Sequence, residues 1–405
     1  MGGDMKEVDK IFDSFLKESI FINKAVLQTN YTPKTIPHRD EEIEQVASIL
    51  APSLRGERTS NLFVYGKTGT GKTLSIQFVK NELLKRAEKG SVNLKIEYLN
   101  CKLRKIADTE YRILAELIKK LGGSVPATGL PTNQVYNKFI DLIDKEKNNL
   151  VLVLDEIDQA VYKISDSFLY NLTRLNSELS KTRISLVGIS NDLKFLDSID
   201  PRVRSSLSEE EIVFPPYNAL QLQDILKRRA EQAFKENIVK EGVISKCAAF
   251  AAREHGDARR ALDLLRIAGE LAEREGKKEI ELSHIDLANE KIDRDKIIDV
   301  VESGPKQFQI ALLAIIQLNQ AKKEKIFTGD IYDIYQNLCR QTKTEILTQR
   351  RISDLIAELD LLGLINAKVI SKGRHGRTRE IRLSIPDKIL GKVKVLLEEG
   401  IGLRI

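Results

Sequence analysis

The 405-residue chain contains no tryptophan and only three cysteines, Cys101, Cys247 and Cys339, which lie far apart. That spacing excludes a disulfide scaffold and a cysteine-based metal site, and it leaves three small residues suited to a core. The four histidines, His38, His255, His284 and His375, are equally scattered, so no zinc-ligand pattern arises. No apolar stretch approaches the roughly 20 residues that a membrane-crossing helix needs. Asp4, Glu7 and Asp9 precede the first apolar run and no small-residue cleavage site follows, so no secretory leader is expected and a cytoplasmic protein is. Internal repeats and low-complexity tracts are also missing.

Hydrophobic residues make up 42% of the chain, enough for real cores, and the length suits two or three domains. Net charge is +6, but it is unevenly distributed. Residues 305–405 hold 18 basic against 11 acidic side chains, whereas the rest holds 47 against 48. The basic excess therefore belongs to the last hundred residues, where it points to a polyanionic partner.

Gly66-Lys67-Thr68-Gly69-Thr70-Gly71-Lys72-Thr73 is a complete G-x-x-x-x-G-K-[ST] phosphate-binding loop. The apolar run 62–65 precedes it as a buried strand. A helix with Ile76, Val79 and Leu83 on one face follows from Thr73, after which Leu74 is the next residue. Backbone N–H groups of such a loop close around phosphates at the positive end of the helix. Lys72 is expected to reach the β- and γ-phosphates of ATP or ADP, and the Thr73 hydroxyl to ligate Mg²⁺. A second apolar run, 150–154, ends in Asp155-Glu156-Ile157-Asp158. At the carboxyl end of a buried parallel strand, Asp155 is positioned for the Mg²⁺ shell and Glu156 for polarising the attacking water. Of these acids, Asp158 fits best as a cap of the following helix.

Between residues 34 and 214, helical stretches alternate with apolar strands at 62–65, 94–99, 150–154 and 184–189, which predicts a parallel sheet covered on both faces. Pro215-Pro216 closes that block. Residues 219–295 read as helix throughout, a small all-α bundle, and Gly304-Pro305 punctuates again.

In this order, a phosphate loop, an Asp-Glu strand end, a helical bundle and a basic C-terminal domain resemble an AAA+ ATPase. More narrowly, the chain resembles the archaeal replication initiators related to the origin recognition complex and the cell-division-control helicase loaders. The resemblance implies an α/β parallel-sheet AAA+ nucleotide-binding domain (1–215, with an N-terminal extension), an all-α lid (216–300) and a C-terminal winged-helix domain (301–405). It also assigns roles to further motifs. Pro37, His38 and Arg39 would pack over the adenine, with Asp40 as a helix N-cap. Asn191, after strand 184–189, would contact the γ-phosphate or the lytic water. In Gly256-Asp257-Ala258-Arg259-Arg260, an arginine of the first helical turn would reach the γ-phosphate from the lid, Arg259 being favoured over Arg260. Asp200-Pro201-Arg202-Val203-Arg204 would supply an arginine finger, with Arg202 and Arg204 left as alternatives.

The C-terminal block reads as a winged helix. One helix starts at Thr328-Gly329-Asp330, and a second spans roughly 348–362, with Ile352, Leu355, Ile356, Leu359 and Leu362 forming one apolar stripe stopped by Gly363. Arg350, Arg351 and Ser353 lie near its start, where a recognition helix meets base edges. Two strands, 367–370 and 379–385, flank a basic hairpin tip. Residues 366–382 carry Lys368, Lys372, Arg374, Arg377, Arg379 and Arg382 against Glu380 alone, with His375 at the tip. Such a wing suits duplex DNA. The resemblance adds a second DNA contact, an inserted segment near 102–112, where Lys102 and Arg104 suit phosphates.

The resemblance implies a slow regulatory ATPase that binds double-stranded origin DNA near the nucleoid. It would act with paralogous initiators, help recruit or load the replicative helicase, and touch no membrane. A STAND-type signalling ATPase, whose winged helix packs on protein, is the alternative. The basic wing and the Asp257–Arg259 motif favour the initiator.

Overall fold

The computed structural model describes residues 19–29, 31–102, 109–126, 129–207, 209–321, 325–371 and 377–403. The expected contacts of Arg104 and of Lys372, Arg374 and His375 at the hairpin tip lie outside the described residues. The chain divides into two compact units, Met1–Ile285 and Asp286–Ile405.

The first unit is built on five parallel strands: β1 (Asn61–Tyr65), β2 (Leu94–Asn100), β3 (Asn149–Asp155), β4 (Arg183–Ser190) and β5 (Glu209–Val213). Their order is β2-β3-β4-β1-β5. Every residue of β1 and β3 is buried, as the continuous apolar runs require of strands covered on both faces. Alternation divides them between two cores. Leu62 and Val64 pack with Ile76, Val79 and Leu83 of the helix Lys72–Lys89, whereas Phe63 and Tyr65 face the opposite side with Leu117, Phe139 and Phe168. The fifth strand leaves no mark in the sequence because Glu209-Glu210-Glu211 is not an apolar run. Among the described residues it pairs only with β1, and charges on an exposed edge strand discourage further strand addition.

Register decides where the chemistry falls. Tyr65 of β1 is level with Ser190 of β4, and Asp155 of β3 with Ile189 and Asn100. The phosphate loop, Asn191 and the acidic pair therefore leave neighbouring strands at one edge of the sheet, where open α/β sheets bind ligands.

Helices follow β5, as expected. Asn218 and Gln221 form a reciprocal capping box at the start of Ala219–Ala233. Val243–Arg253 comes next, then Ala258–Arg274, whose N-cap Asp257 accepts from the N–H groups of Arg259 and Arg260. Residues 19–27, which carry no distinguishing pattern, dock on this bundle rather than on the sheet. The Phe21 ring packs on Phe234 at 4.7 Å between centres, Lys24 pairs with Glu270 at 2.8 Å, and Ser19 Oγ donates to Glu273.

In the second unit a short β6 (Ile326–Phe327), β7 (Ile365–Ser371) and β8 (Arg377–Leu383) form an antiparallel sheet ordered β6-β8-β7. The helix Lys306–Gln320, apolar almost all round, runs through its core. Against it pack Thr328–Gln341, Gln349–Leu361 and Asp387–Ile401. This is a winged helix. Cys101, Cys247 and Cys339 are all buried and free. Among the described residues no helix is long and apolar enough to cross a membrane.

Candidate nucleotide site and basic face

At the sheet edge lies a pocket of about 770 Å³, within the usual range for small-molecule sites. Thr68 through Leu74 line it, together with Asp155, Glu156, Asn191 and Arg259. Gly66 and Lys67 do not line it. Their carbonyls instead accept from Lys72 Nζ, at 2.6 and 2.9 Å, and Asn191 Oδ1 accepts from the same ammonium at 2.9 Å. Lys72 is only 5% exposed. Burial pushes its pKa down to about 8; Asp155 opposes that fall and Arg259 adds to it.

Thr73 Oγ1 donates to Asp155 Oδ2 at 2.8 Å, and the Tyr98 hydroxyl donates to the same oxygen at 2.6 Å. Tyr98 carries no signal in the sequence because only the pairing of β2 with β3 brings it beside Asp155. Hydroxyl and carboxylate together are the hard oxygen donors that suit Mg²⁺, which keeps several waters and rarely takes an all-protein cage. Among the described residues no three His, Cys, Asp or Glu side chains gather as a metal cluster.

Glu156 stands at φ 54, ψ 45, a left-handed conformation that costs a non-glycine residue on the order of 1 kcal/mol. This turn aims its carboxylate into the pocket, 3.5 Å from Lys102 Nζ. Lys102, expected on DNA phosphates, thus lines the nucleotide pocket beside Glu156. Asp158 is not the helix cap: the N-cap position is that of Glu156, and Asp158 lies buried in the first turn, where an acid still favours the helix dipole.

The lid closes the pocket from the other side. Arg259 lines it, whereas Arg260 turns away to Glu254 at 2.8 Å. Ala258 N–H donates to Gly69 O at 3.3 Å. At Gly69, φ is +73, and a side chain there would collide with the Asp257 carboxylate. Residues 31–37 form a further wall, and Arg229 of the lid stacks on Tyr31 at 4.6 Å.

The three residues assigned to the adenine are placed differently. Pro37 lines the pocket, but His38 and Arg39 do not. His38, at φ 60, points its ring to Asp224 of the lid at 2.9 Å. Arg39 is 1% exposed and bonded throughout to protein. It also occupies the N-cap position, so Asp40 is the first helical residue and not the cap.

Arg202 is 89% exposed on its side chain and pairs with Asp200 at 3.0 Å. Arg204, half exposed, sits among Asp197, Glu209 and Glu211. Of the two, Arg202 is the one that stands clear of the acidic strand edge.

On the winged helix, Thr348 caps Gln349–Leu361 by accepting from Arg351 N–H. Arg350 and Arg351 are exposed at that start, with Arg351 only 3.6 Å from Asp354. Ser353 Oγ donates to Gln349 O at 3.1 Å, and Arg379 donates to Ser353 O at 2.9 Å, which ties the wing to the helix. Ser353 and Arg379 are therefore partly committed to protein partners. The backbone of Arg377 begins β8.

Three family models match consecutive parts of the chain: an AAA ATPase domain over residues 35–187, a Cdc6 AAA+ ATPase-type lid domain over 223–290, and a CDC6 C-terminal winged helix domain over 299–393. The chain is 52% identical over 393 residues to an ORC1-type DNA replication protein of Pyrococcus abyssi, covering 96% of this chain and 93% of that one. An ORC1-type DNA replication protein 1 of Methanosarcina mazei is 48% identical over 397 residues, covering 97% and 94%. Among solved structures, the Aeropyrum pernix ORC1 protein in complex with DNA superposes with a TM-score of 0.84 at 42% identity, covering 95% of this chain and 98% of that one.

Proposed function

The chain belongs to the ORC1-type family of AAA+ DNA replication proteins, and on that premise we propose that it is an ATP-switched initiator that binds double-stranded origin DNA. The convergence of Lys72, Thr73, Asp155, Glu156, Asn191 and Arg259 on one pocket is the observation that carries this reading.

In the proposed assignment, the phosphate-loop N–H groups and Lys72 bind the phosphates of ATP or ADP, and Thr73 and Asp155 hold Mg²⁺. The metal, when bound, neutralises phosphate charge. Glu156 orients and polarises the attacking water. Its cramped backbone leaves the carboxylate free of capping duty. Asn191 and Arg259 contact the γ-phosphate, one from the sheet and one from the lid, so lid position can report which nucleotide is bound. Turnover is slow and regulatory, and ADP persists after hydrolysis. Lys72, already hydrogen-bonded to two loop carbonyls and Asn191, supports a site organised to hold nucleotide tightly.

The winged helix supplies the duplex contact, through Arg350 and Arg351 at the helix start and the basic wing beyond them. That the Aeropyrum pernix relative forms a complex with DNA supports a duplex partner here. Arg202, exposed beside the pocket-bearing sheet, is the proposed finger toward a paralogous initiator. Helicase recruitment completes the role.

Footprinting of the purified chain on fragments of its own genome, with and without ATP, tests the reading. Discrete protected sites are expected. Salt-sensitive binding without discrete sites would reduce the protein to a backbone-tracking loader, and absence of binding would favour the signalling alternative.

A further inference from the structure

Arg39 heads the largest fully buried side chains among the described residues, although it carries a permanent charge. A buried guanidinium is stable only when its donors are filled. Nε donates to Thr70 O at 2.8 Å, inside the phosphate loop. Nη1 donates to Glu42 Oε1 at 2.9 Å and to His38 O at 3.2 Å, at the start of its own helix. Nη2 donates to Pro215 O, on the segment that leads from β5 to the lid. The guanidinium carbon lies 3.9 Å from the centre of the Tyr217 ring.

Tyr217 is itself buried and lines the pocket, and its backbone meets the lid turn at Gly256. Gly256 stands at φ +67, and a Cβ there would approach Tyr217 O to 2.3 Å. The next residue, Asp257, caps the helix that carries Arg259. Thus two adjacent residues of the phosphate loop are held by two routes. Gly69 touches the lid directly, through Ala258 N–H. Thr70 is gripped by Arg39, which lies on Tyr217, which lies on the lid turn.

We propose that Arg39 and Tyr217 form a positioning link that couples the setting of the lid to that of the phosphate loop, and thereby controls nucleotide release. A planar fork bonded at three separate segments is rigid. When Pro215 and Tyr217 shift with the lid, either Thr70 follows or buried hydrogen bonds break. Broken bonds in a dry site are costly, so the link favours two discrete arrangements over a continuous range. Lysine cannot substitute, because a single ammonium cannot reach Thr70, Glu42 and Pro215 together. Arg39 does not line the pocket, so it acts through Thr70 and is not a catalytic residue.

The link rests on the nucleotide-site reading, and one experiment separates the two. Release of a fluorescent ADP analogue is followed by stopped flow from the full-length chain and from Arg39→Lys, Tyr217→Leu and Gly256→Ala, with folding checked by circular dichroism. Each substitution is expected to speed release by roughly tenfold, and the Arg39→Lys/Tyr217→Leu pair by no more than about the larger single effect, since coupled residues are not additive. Gly256→Ala touches neither the pocket lining nor Arg39 and strains the turn against Pro216 and Tyr217, a turn that also leads into Asp257 and Arg259. Its pairing with Tyr217→Leu, expected to give no more than about the larger single effect, separates the link from a direct effect on Arg259. It also decides the matter should Arg39→Lys fail to fold. Release rates within about twofold of the parent in folded Gly256→Ala, or fully additive effects in either pair, would overturn the link. Failure of the parent chain to bind the analogue would instead overturn the nucleotide-site reading and the link with it.

Discussion

The nucleotide pocket and the winged helix both carry basic side chains, but they hold them in opposite ways. Lys72 in the pocket and Arg39 behind it are buried and hydrogen-bonded to protein, with partners drawn from the phosphate loop, Asn191 after β4, the β5–lid segment and a helix start. On the winged helix, Arg350 and Arg351 lie open to solvent, and Arg351 makes a loose ion pair within its own helix. A small ligand with fixed phosphate geometry rewards groups placed in advance. A long polyanion is attracted by net charge, and solvated, adjustable cations suffice. Losing one pocket residue should therefore be catastrophic, and losing one surface arginine should be graded.

The sharpest attempt to break that contrast is Lys72→Ala. It removes at least two charge-assisted phosphate contacts, about 4 kcal/mol, and should weaken ATP and ADP by roughly a thousandfold in titration calorimetry. Retained micromolar affinity would sink the assignment. Next comes Glu156→Gln, which keeps the side-chain volume but not the base. Hydrolysis should fall by about 10²-fold or more while ATP still binds, as read by phosphate release against filter binding. Unchanged turnover would move the role elsewhere.

A pH titration probes the same site more gently. Lys72 has a pKa lowered by burial to about 8, so it is protonated below that value and neutral above it. Bound phosphate must raise that pKa, so binding takes up a proton above pH 8. Affinity should therefore be flat below about pH 8 and fall by up to roughly tenfold per pH unit above it. A profile without that break would show the ammonium to be irrelevant to binding. The smallest effect is expected on the open face: Arg350→Ala or Arg351→Ala should weaken duplex binding a few-fold and lower the salt slope by about one. A thousandfold loss there would erase the distinction between the two regions.

The same contrast explains what the sequence disclosed. The phosphate loop and the Asp155-Glu156 strand end were readable because the chemistry demands fixed residue types at fixed spacing next to buried strands. The parallel sheet, the helical stretch and the winged helix were legible from hydrophobic period together with the Pro215-Pro216 and Gly304-Pro305 breaks. The edge strand β5 was not, since charged residues on an exposed edge carry no apolar signal. Tyr98 and Tyr217 were hidden for another reason: each reaches its partner only through tertiary pairing. The inward turn of Arg39 to Thr70 was not legible either, because a motif gives position and not direction. On the winged helix's basic face only net charge was legible, because solvated arginines leave no stricter pattern.

The docking of residues 19–27 on the lid has a bearing on how the chain is made. Ser19 and its partner Glu273 are separated by 254 positions. At ordinary synthesis rates the ribosome needs about 10–50 s to cover that distance. During much of that interval Phe21 has no Phe234 to pack against, and the loop that must finally close is a long one. The lid is thus completed by a segment made well before its partners, so the docking of residues 19–27 should be among the last events in folding the lid.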